Sequence, residues 1–295
     1  MHQLNYIEPV FRPPSEWRSL ILQVTNGCSW NRCTFCEMYQ DENKTFNHKS
    51  LEQLKNDLII AKKSQMPVQR IFLADGDVMT LSVRRLSEIL KAINAIFPDV
   101  QRISSYCLPR NLRHKSVEEL QYLNSLGLKL LFIGCESGDD EVLNLIDKGE
   151  SFQSSVDALT KISRAGIKSS VMILNGLGGT TLTKQHAINS ARLMNETQPN
   201  YVSTLVVSFP MGMQRFSSRF PGFKALPQSM LFEEIYLFLS NLELERTIFR
   251  SDHASNYLVL KGVLNKDKEK LMLQTEQAIN HPDEARLRHE SQRGL

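Results

Sequence analysis

Three of the five cysteines, Cys28, Cys33 and Cys36, stand in one short segment at C-x4-C-x2-C spacing. A loop this short brings three sulfurs to one point, and thiolates are soft metal ligands. An odd cysteine count argues against a disulfide framework. Four readings compete. A [4Fe–4S] cluster held by three thiolates would keep one iron open to a ligand. A plant-type ferredoxin site shares this spacing but needs a fourth cysteine, Cys107 or Cys135. Structural zinc would need His48 as its fourth ligand. Buried, unligated thiols fit poorly beside Asn26, Ser29, Asn31 and Arg32.

Other segments offer polar groups at strand ends. Asp75, Gly76 and Asp77 follow the apolar run Ile71 to Ala74. Alone they read as a solvated turn; after a strand they read as acceptors aimed at a ligand. Glu136 lies in Gly134-Cys135-Glu136-Ser137-Gly138. It is either a ligand contact or a buried glutamate paired with a lysine or arginine. The serine is in the fourth place, so this is no hydrolase elbow. Gly176 opens a glycine-rich run that lacks the Lys-Ser/Thr of a phosphate loop, so its glycines serve close backbone approach. His253 lies in the polar stretch Arg250 to Tyr257.

These residues need a scaffold. Strand-like runs cover residues 20–25, 70–73, 102–106, 130–134, 169–175 and 201–209. Amphipathic helical stretches cover 51–63, 83–96, 116–125, 152–165 and 184–196. Ser116 and Glu119 form a capping-box signature. Six βα units predict an incomplete (βα)6 parallel barrel, with a doubly wound open sheet as the competing architecture. The rhythm breaks near Phe209 and Pro210. A loop is expected over 211–227, helices over 230–241 and 267–279, a strand over 247–250, and a polar tail from residue 281. The expected domains are a core, 1–215, and a C-terminal α+β extension, 216–295. An incomplete barrel exposes part of its sheet, and the extension is the chain expected to cover it. His253 would then face the reacting centre, where it could orient a substrate or exchange a proton. A surface turn is the alternative.

With these segments in place, the chain resembles the radical S-adenosylmethionine (radical SAM) superfamily. Its three clustered cysteines follow a first barrel strand, with Phe35 just before the last. The usual spacing there is C-x3-C-x2-C; this chain carries one more residue between the first two cysteines. The Gly-x-Glu-Ser-Gly segment is similar to the subgroup of anaerobic coproporphyrinogen oxidase, the methylthiotransferases and the elongator catalytic subunit. The resemblance implies that Cys28, Cys33 and Cys36 ligate a [4Fe–4S] cluster whose fourth iron binds S-adenosylmethionine (SAM). It implies that Phe35 flanks the adenine. Asp75, Gly76 and Asp77 would hold the methionyl ammonium, Glu136 would reach SAM, and the Gly176 loop would approach adenosine. The reaction implied is reductive SAM cleavage to a 5′-deoxyadenosyl radical that abstracts hydrogen from a substrate. It calls for an electron donor such as flavodoxin or ferredoxin.

Composition bounds the rest. Hydrophobic residues are 41% and charged residues 23% of 295, the balance of a globular chain. No apolar run reaches the length of a membrane span, and the N-terminus lacks signal character, so the expected address is the cytoplasm. A net charge of +3 falls short of a dedicated nucleic-acid binder. A small-molecule substrate is therefore expected ahead of an RNA or peptide. A non-catalytic zinc- or cluster-binding interaction protein is the alternative of a different class; it would not need SAM-contacting carboxylates.

Overall fold

Parallel strands buried on both faces alternate with helices through most of the chain. The computed structural model describes residues 4–294. In chain order the elements are β1 (Leu20–Gln23), β2 (Thr25–Asn26), β3 (Asn47–His48), α1 (Leu51–Lys63), β4 (Arg70–Ala74), α2 (Val83–Ile96), β5 (Arg102–Cys107), α3 (Val117–Ser125), β6 (Leu128–Glu136), α4 (Asp140–Leu145), α5 (Phe152–Arg164), β7 (Lys168–Asn175), α6 (Gly179–Thr197), β8 (Tyr201–Val206), α7 (Gln214–Arg219), α8 (Gln228–Ser240), β9 (Thr247–Ser251), β10 (Leu260–Leu264) and α9 (Lys268–Asn280). One eight-stranded sheet has the order β1-β4-β5-β6-β7-β8-β9-β10. The pairs β1/β4, β4/β5, β5/β6, β7/β8 and β8/β9 are parallel, and β9/β10 is antiparallel. Its parallel strands follow one another in chain order without the reversal of a doubly wound sheet, and its edges, β1 and β10, do not pair with each other, which is the topology of an incomplete barrel.

The chain divides into two compact units. The first comprises the described part of Met1–Asn31, with Cys36–Ile133 and Thr160–Ser169. Helices α1 and α3 begin at capping boxes, Ser50 with Gln53 and Ser116 with Glu119. Leu54 and Leu58 of α1, Leu86, Ile89 and Ile93 of α2, and Leu120 and Leu123 of α3 are buried. Elsewhere in this unit the rings of Phe72, Tyr106 and Phe132 meet edge to face, with centroids 5.1 to 6.3 Å apart. Tyr6 and Val10 pack against this cluster, and the Tyr6 hydroxyl donates to Ile21 O at 2.6 Å. In this unit Tyr6 and Val10 of the N-terminal segment supply apolar surface against the sheet residues Ile21, Phe72 and Ala74.

The second unit comprises Arg32–Phe35, Gly134–Leu159 and Ser170–Leu295, described through residue 294. Leu231, Phe232, Ile235, Phe238 and Leu239 bury one stripe of α8. Four phenylalanines, Phe209, Phe216, Phe220 and Phe223, gather around α7 with centroids 4.6 to 6.0 Å apart. Their burial explains why a helix forms where a loop was expected: α7 is polar by composition and anchored by Phe216 alone. Helix α6 starts five residues before the expected 184, at Gly179, behind a glycine-threonine run of low helix propensity. Strand β10 went unread, although Leu260, Gly262 and Leu264 alternate inward. The expected tail is also docked: Leu287 bridges Leu258, and Arg288 N donates to Tyr257 O at 2.8 Å.

Candidate active site

In the first unit the cysteine segment is fastened to the loop after β4 by backbone contact. A Cβ on Gly76 would stand 2.2 Å from Gly27 O, and one on Gly27 would stand 2.1 Å from Lys44 O. Only glycine permits this approach, and Gly27 also holds φ +71°. Cys28 and Cys36 are half-buried here. The Ser29 hydroxyl donates to Asp77 Oδ2. The Arg110 guanidinium lies 3.7 Å from the Trp30 ring centroid. Asn31 Nδ2 closes the segment on Tyr39 O at 2.7 Å.

Asp75 and Asp77 have opposite environments. Asp75 accepts from Lys44 Nζ at 2.9 Å through one oxygen. Its other oxygen accepts from the Tyr39 hydroxyl at 2.9 Å and Gly76 N at 3.0 Å. Lys44 and Asp75 are a fully buried ion pair. Asp75 therefore spends its carboxylate inside the protein, on a lysine that the sequence reading does not single out. Burial, then the Asp75 charge, raises the Tyr39 phenol well above its usual range. Asp77 is equally buried, yet its Oδ1 has no partner. Burial raises its pKa against hydrogen bonds from Ser29 and Asn111.

In the second unit Cys33 is buried. The Arg32–Phe35 segment is tied to the chain after α4: Thr34 N donates to Ile146 O at 2.9 Å, and Arg32 pairs with Asp147 at 3.0 Å. Phe35 packs against the cluster of Val142, Leu143, Leu177 and Phe216. Glu136 ends β6 with φ +65°, and its side chain curls back over Gly134, where a Cβ would meet Glu136 Oε1 at 2.1 Å. Lys148 Nζ donates to that oxygen at 2.9 Å, with both side chains buried. This is the pairing that the alternative reading of Glu136 anticipated. Glu136 Oε2 nevertheless has no partner. Burial alone would lower the Lys148 pKa, but the charges of Glu136 and Cys33 outweigh it and hold the ammonium above its usual value. Lys148 also stands 5.8 Å from the Phe35 ring centroid. Sequence reasoning missed Lys44 and Lys148, because nothing local marks a lysine as buried.

The remaining candidates take varied positions. Gly176, at φ +82°, donates its N–H to Glu234 Oε1 at 2.6 Å. His253 is half-buried in the turn after β9. Its Nδ1 accepts from Ser255 N at 3.1 Å, so the neutral ring carries its proton on Nε2. Burial, then Arg288, lowers its pKa. His48 is exposed on β3. Cys107 is buried and donates to Leu108 O at 3.3 Å. Burial pushes the Cys135 thiol up to about 12, so it stays a neutral packing group in β6.

Among the described residues, no three His, Cys, Asp or Glu side chains stand close enough to hold one metal ion. A single tetrahedral ion needs sulfurs roughly 4 Å apart, given metal–sulfur bonds of about 2.3 Å. A four-iron cluster takes its thiolates on different irons, which spaces them more widely. Thiols are the donors that an iron–sulfur cluster takes, and among the described residues each unit holds one buried carboxylate oxygen without a partner, on Asp77 in the first and on Glu136 in the second.

The Radical SAM superfamily profile matches residues 22–194. The chain belongs to this superfamily, whose enzymes use a [4Fe–4S] cluster and SAM. It is 26% identical over 184 residues to the heme chaperone HemW of Bacillus subtilis, covering 58% of this chain and 48% of that one. It is 27% identical over 165 residues to 4′-phospho-dehydrooxetanocin synthase of Priestia megaterium, covering 50% and 22%. Coproporphyrinogen III oxidase (HemN) of Escherichia coli shares the fold with a TM-score of 0.55 at 17% identity, over 75% of this chain and 52% of that one. The chain thus spans about half or less of the curated relatives it matches. The subgroup expected from the Gly-x-Glu-Ser-Gly segment is represented among these likenesses by coproporphyrinogen III oxidase. No helix among the described residues is long and apolar enough to cross a membrane.

Proposed function

We propose that this chain cleaves SAM reductively and uses the resulting radical on a small-molecule substrate. Cys28, Cys33 and Cys36 would hold the [4Fe–4S] cluster by three irons. When bound, cluster and SAM supply the chemistry: one electron breaks the SAM carbon–sulfur bond, giving methionine and a 5′-deoxyadenosyl radical that abstracts hydrogen from the substrate. The electron comes from a donor of the flavodoxin or ferredoxin kind.

The observation that carries this reading is the pair of orphaned carboxylate oxygens, Asp77 Oδ1 and Glu136 Oε2. A buried acceptor left unmade costs about 1–3 kcal/mol, and more when charged. Such groups are accounted for when a bound cation completes them, and an amino-acid ammonium is a matching donor. Asp77 would accept from the methionyl ammonium, with Gly76 giving backbone access and Asp75 holding the loop from inside. Lys148, beside Cys33, would offset thiolate charge and leave Glu136 one oxygen for SAM. Phe35 would flank the adenine. His253, with its proton on Nε2, would donate a hydrogen bond to the substrate.

The test is anaerobic reconstitution followed by dithionite reduction with SAM. Expected are about four irons and four sulfides per chain, and slow release of 5′-deoxyadenosine and methionine. Stoichiometric zinc without iron, or an intact cluster that leaves SAM uncleaved, would overturn the reading.

A further inference from the structure

Glu234 lies on α8, beyond the family-matched residues 22–194, and is almost fully buried. Its two oxygens divide between the loop after β7 and the first turns of α6: Oε1 accepts from Gly176 N and Oε2 from the Thr183 hydroxyl, each at 2.6 Å. Both bonds are to a carboxylate, the stronger class of hydrogen bond. Together they tie the glycine run that leaves β7 to the helix it leads into. Its other side is held as well: Thr180 N donates to Lys224 O at 3.0 Å, and a Cβ on Gly179 would meet the Phe223 ring at 2.8 Å.

A second buried group links this loop to the one that follows Glu136. His186 Nε2 lies 3.0 Å from Leu174 O, and a carbonyl can only accept, so Nε2 carries the hydrogen. Nδ1 then accepts from the Ser137 hydroxyl at 2.8 Å, while that oxygen accepts from Asp139 N at 3.0 Å. Glu234 Oε1 stands 4.0 Å from His186 Nε2. The segments carrying Glu136 and Gly176 are thus cross-linked through His186, and the second is clamped by Glu234.

We propose that Glu234 is a positioning residue for SAM: it fixes the Gly176 loop in the conformation that receives the adenosine. This rests on the SAM-binding reading above. It also makes the C-terminal extension part of the cofactor site, so a boundary at residue 215 would separate the loop from its clamp. Glu234 touches no reacting atom, and its effect falls on affinity.

The test uses full-length, anaerobically reconstituted protein. SAM affinity is measured by equilibrium dialysis, and amide exchange across residues 172–182 is followed by mass spectrometry without SAM. Glu234→Ala is expected to weaken SAM binding by about tenfold or more, as loss of two such bonds implies. It should speed exchange locally in this loop while the cluster spectrum is retained. Glu234→Gln keeps an acceptor for Gly176 N and a partner for Thr183, and should stay within about threefold of wild type on the same scale. Thr183→Val removes one bond, should fall between the two, and serves if Glu234→Ala does not fold. Wild-type affinity and loop exchange in Glu234→Ala, or in Thr183→Val where that variant stands in, would overturn the inference and leave SAM binding intact. So would faster exchange spread evenly over the chain. A cluster-loaded wild type that fails to bind SAM would overturn both readings.

Discussion

Lys148 and Glu136 form a buried ion pair, Nζ to Oε1 at 2.9 Å, in which the carboxylate keeps one oxygen without a partner. The lysine neutralises the charge of Glu136 without exhausting its acceptor capacity. Removing one member of such a pair strands the other. Lys148→Met is therefore expected to destabilise the cluster-free protein by about 3–5 kcal/mol. The double variant Lys148→Met, Glu136→Leu should recover most of that stability and still bind SAM poorly. Urea unfolding of the three proteins, with SAM dialysis on the loaded forms, checks both parts. A single variant as stable as wild type would dismiss the pair as a stability determinant.

The cysteines are expected to separate by role. Replacing Cys28, Cys33 or Cys36 with alanine is expected to abolish SAM cleavage and lower iron content. Cys107→Ala should retain the full iron complement, since its thiol is buried and bonded to Leu108 O. Iron analysis and the electron paramagnetic resonance of the reduced proteins measure this. Loss of the cluster in Cys107→Ala would bring back the four-cysteine ferredoxin reading.

Asp77 carries a pH signature. Burial raises its folded-state pKa above the ordinary 3.8. Between those two values the native state binds more protons than the unfolded chain, so stability falls as pH rises through the window. The cost is fully present above the folded pKa and absent below the unfolded one. Asp77→Asn should therefore gain stability relative to wild type at pH 7, and the gain should shrink as pH drops toward 4. The same variant should lose about 5–150-fold in SAM affinity, the value of a contact of about 1–3 kcal/mol. Denaturant titrations at several pH values, with SAM dialysis at pH 7, test the two together. A variant that binds SAM as wild type does would remove Asp77 from the site.

His253 titrates in the opposite sense. Its folded pKa lies below the ordinary 6.5, with burial the first cause and Arg288 the second. Below pH 6.5 the unfolded chain takes up the proton first, so stability drops as pH falls toward the folded pKa. His253→Gln should flatten that part of the profile while sparing cluster assembly and uncoupled SAM cleavage. Thermal unfolding between pH 5 and 8, read beside 5′-deoxyadenosine release, is the check. Loss of SAM cleavage in this variant would move His253 from the substrate side to the cofactor side.

The sequence by itself determined the βα rhythm and the family, and it singled out the three cysteines. Strand periodicity, capping residues such as Ser116 with Glu119, and thiol spacing are local features that survive without a fold. Helices α1 and α2 coincide with their expected limits for that reason. Tertiary structure alone decided which charges are buried. Lys44 and Lys148 look like surface residues until the fold sets them against Asp75 and Glu136. Glu234 lies 58 positions from Gly176, with no motif to connect them, and only the packing of α8 puts its carboxylate on the loop. Strand β10 was missed because its alternation is short; the pairing with β9 that stabilises it is a partner no local pattern can supply. Buried charges and short strands draw their stability from contacts distant in sequence, so their meaning becomes legible only once the chain is folded.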